Sequence, residues 1–278
     1  MEFAYYYNKL NEVDKAIYRD FNKQVEAKKL VFAVHYNVKI NDALKIYYYL
    51  LCDKPTLYSA PVSAVAFLDP NYTHRDSYPN GSGRMEYLYS DEECAKADAS
   101  FFELSEKLSK NTRGMSTYKK ALYAAKLILE KCKFKLSSEI RYQSAASVVL
   151  EKSSVCAGLS KAYKILLDSI GVECIVITGE AVDSVVERGR MAGNQNSYIN
   201  DDYVGCEEFF VPENKQVLYF PHAWNMVNFD GSWLYVDLTQ IANINDATRF
   251  SALKYFAVND TAMQKYRWNR SLTPEAKK

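Results

Sequence analysis

SSVCAGLSKAYKILLDSIGVE (residues 153–173) and PHAWNMVNFDGSWLYVDLT (residues 221–239) are the two stretches of sequence that decide the fold. The first has an apolar side chain every three or four residues, which is the pattern of a helix that buries one face. These side chains belong to Leu159, Tyr163, Leu166, Leu167 and Ile170. Ser153–Ser154 are the expected caps at its start, and Gly171 is the residue type expected at a left-handed helix end. Cys156 therefore lies in the first turn of a predicted amphipathic helix.

The second stretch predicts a β-hairpin. The Asp-Gly pair at 230–231 is a favoured two-residue turn, and counting outward from it places His222 opposite Thr239 and Trp224 opposite Asp237. In this register His222 and Asp237 lie on the same face with Cβ atoms roughly 7 Å apart, within reach of a hydrogen bond. A slip of one residue would put the two side chains on opposite faces of the sheet.

A thiol, an imidazole and a carboxylate in this arrangement are the parts of an activated cysteine nucleophile. Cys156 is expected at a helix start, where free backbone N–H groups and the positive end of the helix dipole favour the thiolate. The N–H of Cys156 could also receive the oxyanion of a tetrahedral intermediate. His222 would act as the base, and Asp237, in an otherwise apolar run, needs a partner that His222 can supply.

These two stretches resemble the transglutaminase-like superfamily, in particular its bacterial cysteine-protease-like members. The similarity covers roughly residues 144–243, and its most specific feature is the order Cys, His, Asp with fourteen residues between the last two. The resemblance implies an α+β fold with a papain-like core, in which the helix that bears the cysteine packs on an antiparallel sheet. It also implies a catalytic triad of Cys156, His222 and Asp237.

Two features depart from the family pattern. Residues 183–216 form an apparent insertion rich in Asn, Gly and acidic residues. Gln240 follows the motif VDLT (residues 236–239), at a position where members of the family often have an aromatic residue. A long polar segment between nucleophile and base is either a lid that lines the cleft or a surface excursion.

Composition limits the classes of partner. The 278 residues are enough for one large or two small domains, and a net charge of +1 with mixed signs gives no indication of nucleic acid binding. No apolar run is long enough to span a membrane, and the first ten residues do not form a signal peptide. The sequence as written therefore predicts a cytoplasmic protein, or an extracellular or cell-surface one if a leader has been removed.

No cofactor is expected. A zinc site built from Cys156, His222 and either Cys174 or Cys206 is the alternative chemistry for these side chains, but no CxxC or HxxxH spacing supports it. The six cysteines show no paired spacing that would indicate a disulfide framework. The other two histidines, at positions 35 and 74, fall in a predicted strand and a predicted loop, which favours structural or solvated roles.

Two domains are predicted, with a boundary near residue 90. Residues 1–90 alternate between helical and strand-like patterns, which include a strand-like run over residues 84–90, and are interpreted as an accessory α/β module. Residues 91–278 are interpreted as the catalytic domain, in which residues 172–178 are rich in β-branched side chains and predict a strand.

The predicted function is cysteine-dependent acyl transfer on a peptide or amide substrate through a thioester, with hydrolysis by a protease or peptidase as the first choice. A protein-glutamine transglutaminase and an N-glycanase-like amidase use the same triad and remain alternatives. A binding or scaffold module that keeps the fold without catalysis is the competing class, and the large accessory region and the 23 tyrosines keep it open.

Overall fold

The structure is a computed structural model that describes residues 3–33, 38, 40–60, 65–67, 82–181, 220–242 and 254–276. His35, His74, Cys206 and the 183–216 insertion lie outside the described residues.

The described chain contains eight α-helices, ten β-strands and two 3-10 turns. The helices are α1 (Tyr5–Lys9), α2 (Glu12–Glu26), α3 (Ile40–Asp53), α4 (Asp91–Asn111), α5 (Thr117–Lys131), α6 (Ala146–Leu150), α7 (Cys156–Ser169) and α8 (Leu238–Ala242). The strands are β1 (Val31–Ala33), β2 (Val65–Phe67), β3 (Ser82–Arg84), β4 (Lys133–Phe134), β5 (Ser153–Ser154), β6 (Cys174–Ala181), β7 (Phe220–Phe229), β8 (Ser232–Val236), β9 (Phe256–Val258) and β10 (Tyr266–Arg267). The 3-10 turns cover Ile140–Gln143 and Arg270–Leu272.

A five-stranded antiparallel sheet organises the C-terminal half, in the order β10-β6-β7-β8-β9. The β7–β8 hairpin has the predicted register, because Phe229 pairs with Ser232 and Asn225 with Val236 across the Asp-Gly turn at 230–231. On the β6 side, Gly179 pairs with His222. The predicted α+β fold with an antiparallel sheet is therefore confirmed.

Helix α7 packs between this sheet and the helices α4, α5 and α6, so that almost every residue from Ala157 to Asp168 is buried. The amide of Asn225 ties the sheet to α7 by donating to the backbone oxygen of Ser160 at 3.0 Å. The helix ends as predicted, since Gly171 adopts a φ of +73°. The layer of helices fixes where the first turn of α7, and with it Cys156, meets the sheet.

In the N-terminal region, helices α1 and α3 contact strand β6 of the same sheet. The hydroxyl of Tyr6 donates to the carbonyl of Val176 in β6 at 2.8 Å. The ammonium of Lys164 in α7 donates to the Phe3 carbonyl at 2.8 Å and to Asp168 at 2.7 Å. The predicted division into 1–90 and 91–278 stays a prediction, with direct contacts between the two parts.

Three local predictions were wrong. Thr239 lies in α8 and not in a strand, because β8 ends at Val236. Ser153–Ser154 form a short parallel pair with β4, and the helix is capped by Val155 without a side-chain bond. Residues 85–90 contain no strand, although a strand was expected over 84–90. At Thr239 the carboxylate of Asp237 provides a local helix cap, whereas at Ser153–Ser154 the pairing with β4 takes the place of the expected capping role.

No helix among the described residues is long and apolar enough to cross a membrane.

Candidate active site

The imidazole of His222 and the carboxylate of Asp237 form a buried hydrogen-bonded pair. Nε2 of His222 lies 2.7 Å from Oδ2 of Asp237, and both side chains are almost completely buried. His222 comes from β7, whereas Asp237 is the residue between the end of β8 and the start of α8. The predicted proximity therefore arises at a strand end and not across a regular strand pair.

Backbone groups hold the carboxylate of Asp237 in place. Its Oδ1 accepts the N–H of Thr239 at 3.0 Å and the N–H of Gln240 at 3.2 Å, so Asp237 caps α8. The N–H of Asp237 donates to the carbonyl of Tyr255 at 2.9 Å. These bonds leave Oδ2 turned towards His222, where the hydroxyl of Tyr266 also donates at 2.7 Å.

Cys156 is the first residue of α7, and its side chain is partly exposed. Its thiol interacts with the imidazole of His222 and favours the charged form of that ring. Because Nε2 faces Asp237, Nδ1 is the ring nitrogen available to the thiol. The structure thus brings together all three residues that the sequence singled out, in the order thiol, imidazole, carboxylate.

The imidazole favours its charged form. Burial opposes protonation, but the charge and hydrogen bond of Asp237, together with the contact to Cys156, outweigh it and raise the pKa of His222 well above its usual range. A positively charged imidazole next to Cys156 is therefore the state that the surroundings of His222 favour.

The first turn of α7 is held against the preceding 3-10 turn. A Cβ added at Gly158 would lie 2.6 Å from the Tyr142 carbonyl oxygen and 2.7 Å from that of Ser144. The N–H of Val155 donates to the Tyr142 carbonyl at 3.3 Å. Only a residue without a Cβ permits this approach, which fixes the position of the first turn of α7 and of Cys156.

The N-terminal region contributes a residue to the site. Tyr48 of α3 interacts with Thr178 of β6 and with Cys52, and more weakly with Cys156. Burial, followed by the electrostatic interaction with Cys52, raises the pKa of Tyr48 well above its usual range. The accessory region therefore forms part of the environment of the thiol.

The other described cysteines differ from Cys156 in burial or in partner. Cys52, Cys132 and Cys174 are buried, and burial raises the pKa of Cys52 and of Cys132 to about 12. Cys94 is partly exposed like Cys156, but burial raises the pKa of its thiol as well. In the part of the chain that the structure describes, no three His, Cys, Asp or Glu side chains are grouped to hold a metal ion.

A cysteine at the start of a buried helix, with a His–Asp pair on the adjoining antiparallel sheet, places the protein in the α+β class that the sequence indicated. The family model of the transglutaminase-like superfamily matches residues 104–238, just under half of the chain, and this segment includes Cys156, His222 and Asp237. The segment is transglutaminase-like, and the resemblance is confirmed. The comparison with curated proteins gave no match.

Two solved structures are partly similar to the chain. A candidate cysteine protease from Cytophaga hutchinsonii is 17% identical with a TM-score of 0.32, and the match covers 55% of this chain and 40% of that one. A TGase is 12% identical with a TM-score of 0.38, and the match covers 79% of this chain and 53% of that one. The chain thus spans about half, or less, of the length of these two proteins.

Tyr266 and Tyr48 are site residues that the sequence did not indicate. Tyr266 lies beyond the segment matched by the family, and Tyr48 lies more than one hundred positions before the nucleophile. No local pattern marks either tyrosine among 23 in the chain, because only the sheet and helix packing brings them to the site.

Proposed function

We propose that the protein is a cysteine-dependent acyl-transfer enzyme that acts on a peptide or protein amide. The observation that carries the proposal is the buried 2.7 Å pair of His222 and Asp237, with Cys156 at the start of α7 interacting with the same imidazole. A structural thiol would need none of these partners, and a buried carboxylate bonded to an imidazole is the arrangement that holds a general base in one tautomer.

The reaction would begin with the Cys156 thiolate attacking the amide carbonyl carbon while His222 carries the thiol proton. The resulting tetrahedral oxyanion would accept a hydrogen bond from the N–H of Cys156. Val155, which caps the helix, makes no side-chain hydrogen bond that would compete with the oxyanion for the free N–H groups of the first turn. His222 would then give its proton to the departing amine, leaving a thioester on Cys156. Asp237 would stabilise the imidazolium throughout.

The acceptor of the acyl group decides the class of reaction. Water, deprotonated by His222, would release a carboxylic acid and restore the thiol, which is the reaction of a protease or peptidase. A primary amine would instead give a new amide, which is the reaction of a transglutaminase. Hydrolysis is the first choice by analogy with the protease-like members of the resembled family, and analogy of fold alone does not select the acceptor.

Alkylation by iodoacetamide as a function of pH tests the nucleophile. We expect Cys156 to react well below about pH 8.5, the pKa of a free thiol, and to lose this reactivity in His222→Ala. Cys94 is the internal control, since it is also partly exposed but has no imidazole partner among the described residues. Equal rates at Cys156 and Cys94, unchanged in the variant, would favour the non-catalytic binding module.

A second assay separates the two acceptors. Wild type and Cys156→Ala are incubated with dimethylcasein and dansylcadaverine, and the products are analysed for new peptide termini and for fluorescence attached to casein. New termini that require Cys156 would support hydrolysis. Fluorescent casein with intact chains would instead assign the transglutaminase reaction.

A further inference from the structure

Two hydrogen-bond donors share one oxygen of Asp237. Nε2 of His222 and the hydroxyl of Tyr266 both lie 2.7 Å from Oδ2, while Oδ1 is occupied by the N–H groups of Thr239 and Gln240. The carboxylate is therefore surrounded by four donors. A simple triad needs only the bond to the imidazole and enough support to orient it, so the bond from Tyr266 calls for a separate explanation.

Tyr266 is held firmly in this position. It pairs with Ala181 in the register of β10 and β6, and only 7% of its surface is exposed. Its ring packs edge-on against Trp224 at 5.0 Å and tilted against His222 at 5.9 Å between ring centroids. The hydroxyl is thus directed at Asp237 by the sheet, and its removal would leave the surrounding packing in place.

The shared oxygen couples the two donors. A hydrogen bond from Tyr266 draws negative charge from Oδ2, and that charge stabilises the proton on His222. The bond from Tyr266 is strongest when His222 is neutral and the full charge of Asp237 is available. Because such coupling is reciprocal, the bond must favour the neutral imidazole.

We propose that Tyr266 is a positioning residue that acts through Asp237 and limits how firmly His222 holds its proton. This inference rests on the proposed role of His222 as base and acid. Asp237 and Cys156 both drive the imidazole towards its charged form, and an imidazole that stays charged cannot remove a proton from water when the thioester is cleaved. Tyr266 opposes these two groups.

The groups around His222 determine how the test is designed. Among the residues that the structure describes, the titratable side chains that face it are Asp237, next to α8, Cys156, on α7, and Tyr266, on β10. Replacing Cys156 with Ala removes the coupled thiol, so that the imidazole titrates against Asp237 and Tyr266. It also makes the measurement independent of any catalytic activity.

The experiment is an NMR titration of protein labelled with carbon-13 at histidine Cε1, in the Cys156→Ala background. The chain has three histidines, and His222→Gln assigns the relevant signal. We expect Tyr266→Phe to move the titration midpoint of His222 upward by roughly half a pKa unit, the effect of removing one hydrogen bond that competes for a charged acceptor. An unchanged midpoint, or one that moves downward, would overturn the proposal.

Two further variants test whether a shift in the midpoint of His222 comes from the Tyr266 hydrogen bond or from disturbed packing. Tyr235→Phe removes a comparable hydroxyl that donates to a different carboxylate, Asp260, at 2.8 Å, and should leave the midpoint of His222 unchanged. Replacement of Tyr266 by 3-fluorotyrosine keeps the shape and strengthens the donor, so the midpoint should move downward. A shift in the same direction for both Tyr266 variants would indicate disturbed packing and refute the proposal.

The outcome is distinct from that of the alkylation assay. If wild-type Cys156 shows no enhanced reactivity, the proposed function fails whatever the midpoint of His222. If Cys156 is reactive and the midpoint is unaffected by Tyr266→Phe, only the role of Tyr266 fails.

Discussion

Replacing Asp237 with Asn should convert Cys156 from a reactive to an ordinary thiol. The Oδ1 atom of Asn would still accept the N–H groups of Thr239 and Gln240, because these bonds require only an oxygen. The atom facing His222 would then be an NH2 group, which donates. Nε2 of His222 would have to become the acceptor, so the neutral imidazole would carry its proton on Nδ1, where it faces the thiol and cannot act as a base.

The size of the effect follows from the loss of His222 as a base. A positioned general base contributes about 100-fold to 10,000-fold to a rate, so alkylation of the variant at about pH 6 should be slower by that factor. Near pH 9, where an ordinary thiol is largely ionised without help, the two proteins should react at similar rates.

The assay is the second-order rate constant for alkylation of Cys156 by iodoacetamide across this pH range. Asp260→Asn is the matched control, since Asp260 also accepts a tyrosine hydroxyl, from Tyr235, and lies outside the site. Its profile should superimpose on that of the wild type. If Asp237→Asn gives the wild-type profile too, the carboxylate does not orient the imidazole and the proposed mechanism is wrong.

Three further predictions concern stability and positioning. The raised pKa of His222 means that its ion pair with Asp237 stabilises the fold below about pH 6.5, and that this contribution is lost as the pH rises through the folded-state pKa. The free energy of urea unfolding should therefore decline from about pH 6 to pH 9. His222→Gln should abolish the decline. Lys164→Met leaves the buried carboxylate of Asp168 without the ammonium that pairs with it, and should lower the free energy of unfolding by about 3–5 kcal/mol. In the same urea assay, the double variant Lys164→Met with Asp168→Leu should recover most of this loss. Gly158→Ala forces a Cβ against the Tyr142 carbonyl. We therefore expect the free energy of unfolding to fall by about 1–3 kcal/mol and the alkylation of Cys156 at low pH to become slower. A variant with normal stability and normal alkylation would show that the close contact between Gly158 and Tyr142 does not position the nucleophile.

The hairpin and the central helix could be predicted because each is a local pattern. The 3.6-residue repeat after Cys156 and the Asp-Gly turn at 230–231 act over a few residues, and the structure has both elements with the expected helix end and strand register. The same reasoning failed at Thr239, where the cap provided by Asp237 starts a helix that no strand propensity indicates.

The sequence alone therefore determined the elements and the identity of the nucleophile, base and acid candidates, because spacing within a helix or a hairpin sets which side chains share a face. Tertiary structure decided what surrounds them: Tyr266 reaches Asp237 only through the pairing of β10 with β6, and Tyr48 reaches the thiol only because α3 packs on that sheet. Contacts between residues so far apart depend on how whole elements pack, and packing combines many weak, non-directional interactions that no short stretch of sequence records.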